Sequence, residues 1–283
     1  MDLNKVKIVM DSSADMLSMD GVDFGAAPLK IITAENEYVD NAVLDVPSMV
    51  DALLTYTGKS STACPAPGDF EEAFGDAEFI FVLTITSNLS GSYNAACLAA
   101  EDYRQAHPQR RVFVLDTLTT GPEMVLLAEK ILECVKSGME FDQVCCAVEE
   151  YRKKTTALIF VVESMKNLAN NGRVSRIVAK AAGILGIRAI GCASVRGDLE
   201  MIDKARGARR TIPAIVENMK KLGYCGGKVR ITHVVNPGAA VALKELICSE
   251  FGDVVEDIRP ARGLCSFYAE KGGLLIGFER VKK

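Results

Sequence analysis

The sequence predicts an α/β protein of two domains, the first with a parallel sheet flanked by helices and the second with a mixed sheet. Short apolar runs such as Phe79–Leu83 alternate with segments of helical period, which is the pattern of β-α-β units. This alternation changes near residue 155, and the hairpin signal Arg196–Asp198 follows. A chain of 283 residues is long enough for two domains. We therefore assign residues 1–155 to an N-terminal α/β domain and residues 156–283 to a C-terminal mixed α/β domain.

The N-terminal elements follow from the period of the apolar residues. A strand is predicted where a short apolar run ends in polar residues, and a helix where apolar residues recur every three or four positions. Asp69 is expected to act as the N-cap of its helix. The predicted strands are Lys7–Met10, Ala26–Ile32, Glu37–Asp40, Phe79–Leu83 and Arg111–Leu115, and the predicted helices are Val46–Leu54, Phe70–Phe74, Ser92–Gln105, Pro122–Lys136 and Phe141–Lys153.

The second half combines strands, helices and a hairpin, which favours a mixed sheet. The predicted strands are Ala157–Val162, Ala189–Val195, Leu199–Ile202, Val229–Val235, Val254–Arg259 and Gly273–Phe278, and the predicted helices are Met165–Asn170, Ile177–Leu185, Arg206–Leu222 and Ala240–Phe251.

Composition narrows the class of protein. Charged residues make up 25% of the chain and apolar residues 49%, as in ordinary globular proteins. The net charge of −4, without a dense Lys/Arg cluster, disfavours nucleic acid as a partner. No apolar run is long enough to span a bilayer, and Met1–Lys5 offers no signal-peptide core. We expect a cytoplasmic protein, and a transient contact with a membrane surface is compatible with that expectation.

Cysteine and histidine usage disfavours a disulfide framework and a metal site. The nine cysteines are scattered and include no Cys-x-x-Cys spacing, so we expect reduced thiols. The two histidines, His107 and His233, leave little material for a metal centre or a Ser-His-Asp triad. We therefore predict no metal.

Two turns rich in hydroxyl groups suggest a site for a small acid group. Thr86–Tyr93 lies between a buried strand and a helix, and Ser60–Phe70 precedes it. A helix N-terminus attracts anions, and ligands of open α/β sheets bind beyond the carboxyl ends of the strands. Thr62 and Ser90 are therefore expected to converge on one ligand. Each hydroxyl taken singly is also explained as a helix cap or a turn residue.

Several motifs in order along the whole chain resemble the DegV family, the fatty-acid-binding proteins that include the FakB subunits of bacterial fatty acid kinase. The segments that carry the resemblance are Met10–Asp15, Pro28–Lys30, Tyr38–Asp40, Thr62–Pro67, Leu89–Tyr93, Asp116–Thr117 and Asn171–Ser175.

The resemblance implies a non-enzymatic, lipid-binding subunit whose two domains enclose a long-chain fatty acid, with no further cofactor. Thr62 and Ser90 match the family's carboxylate-binding residues, and Ser92 and Cys64 are candidates for additional head-group contacts. Arg173 matches the arginine implied to contact the partner, a fatty acid kinase catalytic subunit, and the phosphate. Asn171 replaces a family glycine, which is a mild departure because Asn tolerates a left-handed backbone.

The C-terminal region departs from the family more strongly. The family often has a His that reaches the carboxylate, and here Tyr268 falls near that position. Tyr268 either donates a hydrogen bond through its hydroxyl or serves only in packing. The segment Ile177–Ile187 is a candidate wall of an acyl tunnel, although ordinary core packing has the same composition.

Two alternatives to a fatty-acid carrier remain. The first is a serine hydrolase or phosphotransferase acting on a small acid, with Ser90 as its nucleophile. The chain lacks a Gly-x-Ser-x-Gly elbow, a P-loop and a dinucleotide-binding glycine motif after the first strand, which favours the carrier. The second alternative is a regulatory sensor of lipid supply, which would share the pocket and differ in its partner.

Overall fold

A computed structural model of the chain describes residues 1–175 and 186–280. Its N-terminal half alternates strands and helices, as predicted. The strands are β1 (Val6–Asp11), β2 (Asp23–Ala27), β3 (Lys30–Ile32), β4 (Glu37–Val39), β5 (Ser61–Ala63), β6 (Phe79–Thr84) and β7 (Arg111–Asp116), and the helices are α1 (Val46–Thr55), α2 (Pro67–Phe74), α3 (Ser92–Ala106), α4 (Pro122–Lys136) and α5 (Phe141–Lys154).

Four of these strands form the predicted parallel sheet, in the order β2-β1-β6-β7. Helices α4 and α5 cover one face, where Ile8 and Phe81 are fully buried. Helices α2 and α3 cover the other face around Val82. A sheet buried on both faces explains why its strands are continuous apolar runs. All carboxyl ends of the parallel strands lie at one edge of the sheet, which is where the polar loops are found.

The predicted strand Ala26–Ile32 is two strands in two sheets. It is interrupted at Pro28, which cannot donate a hydrogen bond to a ladder. Strand β2 ends before Pro28 in the parallel sheet, and β3 pairs antiparallel with β4 and β5. The second hydroxyl-rich segment is therefore not only a turn, because Ser61–Ala63 is the strand β5.

The C-terminal half has the predicted mixed sheet, with six strands in the order β10-β9-β8-β13-β11-β12. The β9–β10 pair is the predicted hairpin. The strands are β8 (Thr156–Val162), β9 (Ile187–Ala193), β10 (Leu199–Arg206), β11 (Val229–His233), β12 (Val255–Pro260) and β13 (Leu274–Glu279), and the helices are α6 (Lys166–Asn170), α7 (Ala208–Lys221), α8 (Pro237–Phe251) and α9 (Gly263–Ala269).

Two further predictions of local structure were wrong, and one helix was missed. Helix α2 begins at Pro67 with Ala66 at the N-cap, and the Asp69 carboxylate instead accepts the Ala66 N–H at 2.7 Å from inside the helix. Strand β10 continues through Arg206, because its ladder to β9 extends that far, and α7 starts only at Ala208. Helix α9 was not predicted. The predicted helix Ile177–Leu185 lies outside the described residues.

Helix α4 joins the two halves, since it packs against β8, β11 and β13 of the mixed sheet as well as against β6. The contact with β13 is close at Gly277, where a methyl group would lie 2.5 Å from the carbonyl carbon of Pro122. The domain boundary at residue 155 stays a prediction. In the described ranges, no helix has both the length and the apolar character needed to cross a membrane.

Candidate functional site: a hydroxyl-bordered apolar cavity

A cavity of about 300 Å³ lies between the carboxyl edge of the parallel sheet and one face of the mixed sheet. Of the six predicted site residues, five line it: Thr62, Cys64, Ser90, Arg173 and Tyr268. The structure therefore brings together residues from four places in the fold. These are the end of β5, the β6–α3 loop, the segment that follows α6, and helix α9. The exception is Ser92, which is fully buried behind Ser90 and does not line the cavity.

Most of the remaining wall is apolar. Strand β8 contributes every second residue to it, as expected for one face of a strand. The other apolar residues come from β10, β13, α6, α9 and the segments that end the N-terminal strands. Among the residues that the structure describes, the apolar lining consists of Leu29, Ala63, Ile85, Leu89, Leu158, Phe160, Val162, Leu168, Leu199, Leu264, Ala269 and Leu275.

Thr62 and Tyr268 meet directly at the polar part of the wall. Thr62 Oγ1 and Tyr268 Oη are 2.7 Å apart and share a hydrogen bond. Burial raises the pKa of the Tyr268 phenol, so it remains protonated at neutral pH. Each hydroxyl has one hydrogen, and the shared bond uses only one of the two. The pair therefore keeps one donor for a ligand.

Ser90 is held by a network of backbone and side-chain hydrogen bonds. Its N–H donates to Thr86 O at 3.3 Å, and its Oγ accepts the Ser92 N–H at 3.2 Å. The Ser90 hydroxyl also donates to Ser92 Oγ at 3.3 Å, a long bond that a stronger acceptor would displace. Asp116 fixes the start of this loop, since its Oδ1 accepts the Ser87 N–H at 3.1 Å.

Asp11 connects the ends of β1 and β6 beneath this loop. Its Oδ2 accepts the Ile85 N–H at 2.9 Å, and its Oδ1 accepts from both the N–H and the hydroxyl of Ser13. Burial is the main cause that raises the pKa of Asp11 to about 6. The polar segment at the end of β1 therefore lies under the site and positions Ile85, which lines the cavity.

Helix α9 is anchored by two buried carboxylates of the N-terminal half. Asp40 accepts the N–H groups of Gly263 and Leu264 at 2.8 and 2.9 Å, and Asp15 Oδ1 accepts the Arg262 N–H at 2.7 Å. Gly263 is required there, because a methyl group would lie 2.8 Å from Asp40 Cγ. Acceptors at a helix N-terminus stabilise it. They explain how this seven-residue segment forms a helix and carries Tyr268 to the cavity.

Arg173 belongs to the C-terminal half and contacts the loop between β6 and α3. Its Nε donates to Leu89 O at 3.0 Å, and its Nη1 donates to Asn171 O. Gly172 has φ +73°, a left-handed conformation that favours glycine. The guanidinium is thus oriented by backbone carbonyls on both sides, and its positive charge lowers the pKa of Tyr268, opposing part of the burial effect.

Neither histidine is among the residues that line the cavity. His107 follows the far end of α3 and packs against Tyr103, with ring centroids 4.7 Å apart and the rings tilted by 55°. A helix of fifteen residues separates it from Ser92 by roughly 22 Å. His233 Nδ1 accepts the Asn236 N–H at the end of β11. In the described part of the chain, no three His, Cys, Asp or Glu side chains form a group that could hold a metal ion.

Sequence reasoning missed Thr120 and Cys265, which add polar atoms to the cavity wall. Cys265 Sγ donates to Ser13 O at 3.3 Å, and Thr120 Oγ1 lies 3.8 Å from that sulfur. Thr120 follows β7, so the rule that ligands bind at the carboxyl edge could have identified it. Cys265 had no such signal, because helix α9 was not predicted.

Comparison with known proteins places the chain in a family. Residues 5–280 match the family model described as "Uncharacterised protein, DegV family". A DegV domain-containing protein of Streptococcus pneumoniae is 39% identical over 277 residues, which cover 96% of this chain and 98% of that protein.

Two solved structures share the fold closely. The first is a DegV family protein from Eubacterium eligens loaded with heptadecanoic acid, with 40% identity, a TM-score of 0.94 and coverage of 97% of this chain and 99% of that one. The second is the Streptococcus pneumoniae Fatty Acid Kinase (Fak) B3 protein loaded with linoleic acid, with 38% identity, the same TM-score, and coverage of 98% and 99%. With a family model spanning nearly the whole sequence and relatives that cover it end to end, the chain belongs to the DegV family.

Proposed function

We propose that the protein binds a long-chain fatty acid in the cavity and presents its carboxyl group to a partner kinase for acyl-phosphate formation. The observation that carries this proposal is that Thr62, Ser90, Tyr268 and Arg173 line one cavity whose wall is otherwise mostly apolar. Related structures with heptadecanoic and linoleic acid support the same ligand class.

The two parts of the cavity match the two parts of a fatty acid. Burial of the alkyl chain contributes about 0.8 kcal/mol per methylene. A carboxylate without partners in such a site would cost several kcal/mol. The free hydrogen of the Thr62–Tyr268 pair and the Ser90 hydroxyl, which can turn away from Ser92, are donors for its oxygens. Neutral donors leave the carboxylate oxygen available as a nucleophile.

Arg173 has a different role in the proposal. Its guanidinium borders the same cavity and is oriented by Leu89 O. An acyl phosphate carries more negative charge than the acid from which it forms, and a guanidinium suits a phosphate group. We therefore assign Arg173 to the phosphorylated head group and the contact with the kinase.

The alternative is a serine-dependent hydrolase or phosphotransferase. It requires a base that activates Ser90, whereas the hydroxyl donates to another hydroxyl, that of Ser92, and His107 lies at the opposite end of α3. These contacts favour the carrier.

Mass spectrometry of the purified protein tests the proposal. A co-purified free long-chain acid under native conditions supports it, and a covalent adduct on Ser90 would support the enzyme instead. The variant Thr62→Ala/Ser90→Ala should lose most of the bound acid and keep its fold. A matched control is Thr55→Ala/Ser249→Ala, which removes two exposed helical hydroxyls that bond only to carbonyls of their own helices. Equal lipid content in both double variants would contradict the carboxylate assignment.

A further inference from the structure

The ring of Phe160 occupies the space above Gly191. The two residues are cross-strand partners, Phe160 in β8 and Gly191 in β9. A methyl group at Gly191 would lie 2.6 Å from Phe160 Cε1 and closer still to Cζ. These separations are far below van der Waals contact. The ring therefore lies where a side chain at residue 191 would stand.

The neighbouring positions show why the ring takes this direction. On the cavity side of β9, the residues that flank Gly191 are Ala189 and Ala193, so this strand presents only small residues there. On its other side, Phe160 is paired with Leu275 of β13, which is larger and also lines the cavity. The ring is buried, with 5% of Phe160 exposed, and borders the cavity.

We propose that Gly191 is a specificity-determining residue that sets the width of the cavity and thereby the longest acyl chain the protein accepts. The inference rests on the proposed function and adds to it a limit on chain size. Gly191 does not line the cavity itself; it acts by leaving room for the Phe160 ring over β9.

A side chain at residue 191 would force the ring to move. Leu275 is the cross-strand neighbour of the ring on the side away from Gly191, and the cavity borders the ring. We therefore expect the displaced ring to turn into the cavity. A ring that turns into the cavity displaces methylene groups of a bound chain, and each methylene left unburied lowers affinity about fourfold. The loss should therefore fall on long acids and spare short ones.

Saturated acids from lauric to stearic serve as probes, with affinities measured by displacement of a fluorescent fatty acid. Gly191→Ala should bind lauric acid as the wild type does and lose at least about tenfold in affinity for stearic acid. Gly191→Ala/Phe160→Leu should recover stearic acid binding, because the smaller side chain removes the contact between the methyl group and the ring. Gly68→Ala is the matched control, since a methyl group there meets no atom within 4 Å.

A second short contact of the methyl group makes it possible to distinguish a narrower cavity from general damage to the fold. The methyl group would also lie 2.7 Å from Glu200 O, and Phe160→Leu does not relieve this contact. A uniform loss at all chain lengths, not rescued in the double variant, would overturn the inference. If Gly191→Ala does not fold, the single variant Phe160→Leu tests the inference. Its smaller side chain should shift the binding preference toward longer acids, and an unchanged preference would overturn the inference. A wild-type protein that binds none of the acids would instead refute the proposed function.

Discussion

Thr62 Oγ1 and Tyr268 Oη share a hydrogen bond of 2.7 Å although 206 positions separate the two residues in the chain. The bond joins strand β5 of the N-terminal half to helix α9 of the C-terminal half at the wall of the cavity. The sequence alone left two roles open for Tyr268, a ligand contact and ordinary packing. The bond places the Tyr268 hydroxyl beside that of Thr62.

The first prediction concerns this pair. Thr62→Val and Tyr268→Phe should each weaken fatty-acid binding only slightly, because the hydroxyl that remains keeps its hydrogen for the carboxylate. The double variant removes this donor and should weaken binding at least about tenfold, so the effects should be more than additive. Isothermal titration with a long-chain acid measures all three. Tyr224→Phe removes a hydroxyl bonded to Gly227 O in another core and is the control. If the double variant binds no more weakly than Thr62→Val, Tyr268 is assigned to packing.

The second prediction concerns Arg173. Arg173→Ala should retain the fatty acid and reduce phosphorylation of that acid by the partner kinase at least about tenfold, because the charge acts on the phosphorylated head group. Lipid content by mass spectrometry and acyl-phosphate production with the kinase are the two readouts. Arg196→Ala, which removes a largely exposed side chain paired with Asp198, is the control. An empty cavity in Arg173→Ala would move this residue to ligand binding.

The third prediction concerns pH. Burial is the main cause that raises the pKa of Asp15 to about 8, with the charge of Asp40 adding to it and the Arg262 N–H and Arg259 opposing it. The folded protein therefore holds a proton on Asp15 that the unfolded chain, with an ordinary carboxyl, has lost. Its contribution to stability is full at acid pH and is lost as the pH rises through about 8.

Between pH 6 and pH 8, the free energy of unfolding should accordingly fall by about 1 kcal/mol per pH unit because of Asp15. Asp15→Asn cannot titrate and keeps an oxygen for the Arg262 N–H, so the slope should flatten. Urea unfolding across this range measures both proteins. The difference between them cancels the opposite effect of His233, whose pKa burial lowers. Equal slopes would show that Asp15 is ionised in the folded state.

The fourth prediction concerns Cys64, an exposed thiol at the cavity wall. Its sulfur lies against the backbone of Gly91, where a methyl group would be 3.0 Å away. Alkylation with N-ethylmaleimide should block fatty-acid uptake, because the adduct fills the space beside Ser90. Cys64→Ser should resist the reagent, whereas Cys146→Ser, which removes another exposed thiol, should remain sensitive. Full uptake by alkylated protein would place Cys64 outside the path of the ligand.

The sequence predicted most regular elements because their signals are local. The strands of the parallel sheet are buried on both faces, so each appears as an apolar run, and helices such as α4 have a clear period. Helix α9 escaped prediction because it is stabilised at its N-terminus by Asp40 and Asp15, which lie more than two hundred positions earlier. Strand β5 escaped for a related reason, since three residues form a strand only when β3 is beside them.

By itself, the sequence determined the α/β class, the two kinds of sheet, the family resemblance and five residues that line one cavity. These follow from residue type, period and motif, which act over short distances along the chain. Tertiary structure alone decided that Tyr268 bonds to Thr62, that Ser92 lies behind the wall, and that the Phe160 ring covers Gly191. Such contacts depend on strand register and helix placement, because the partners meet only after distant segments have packed together.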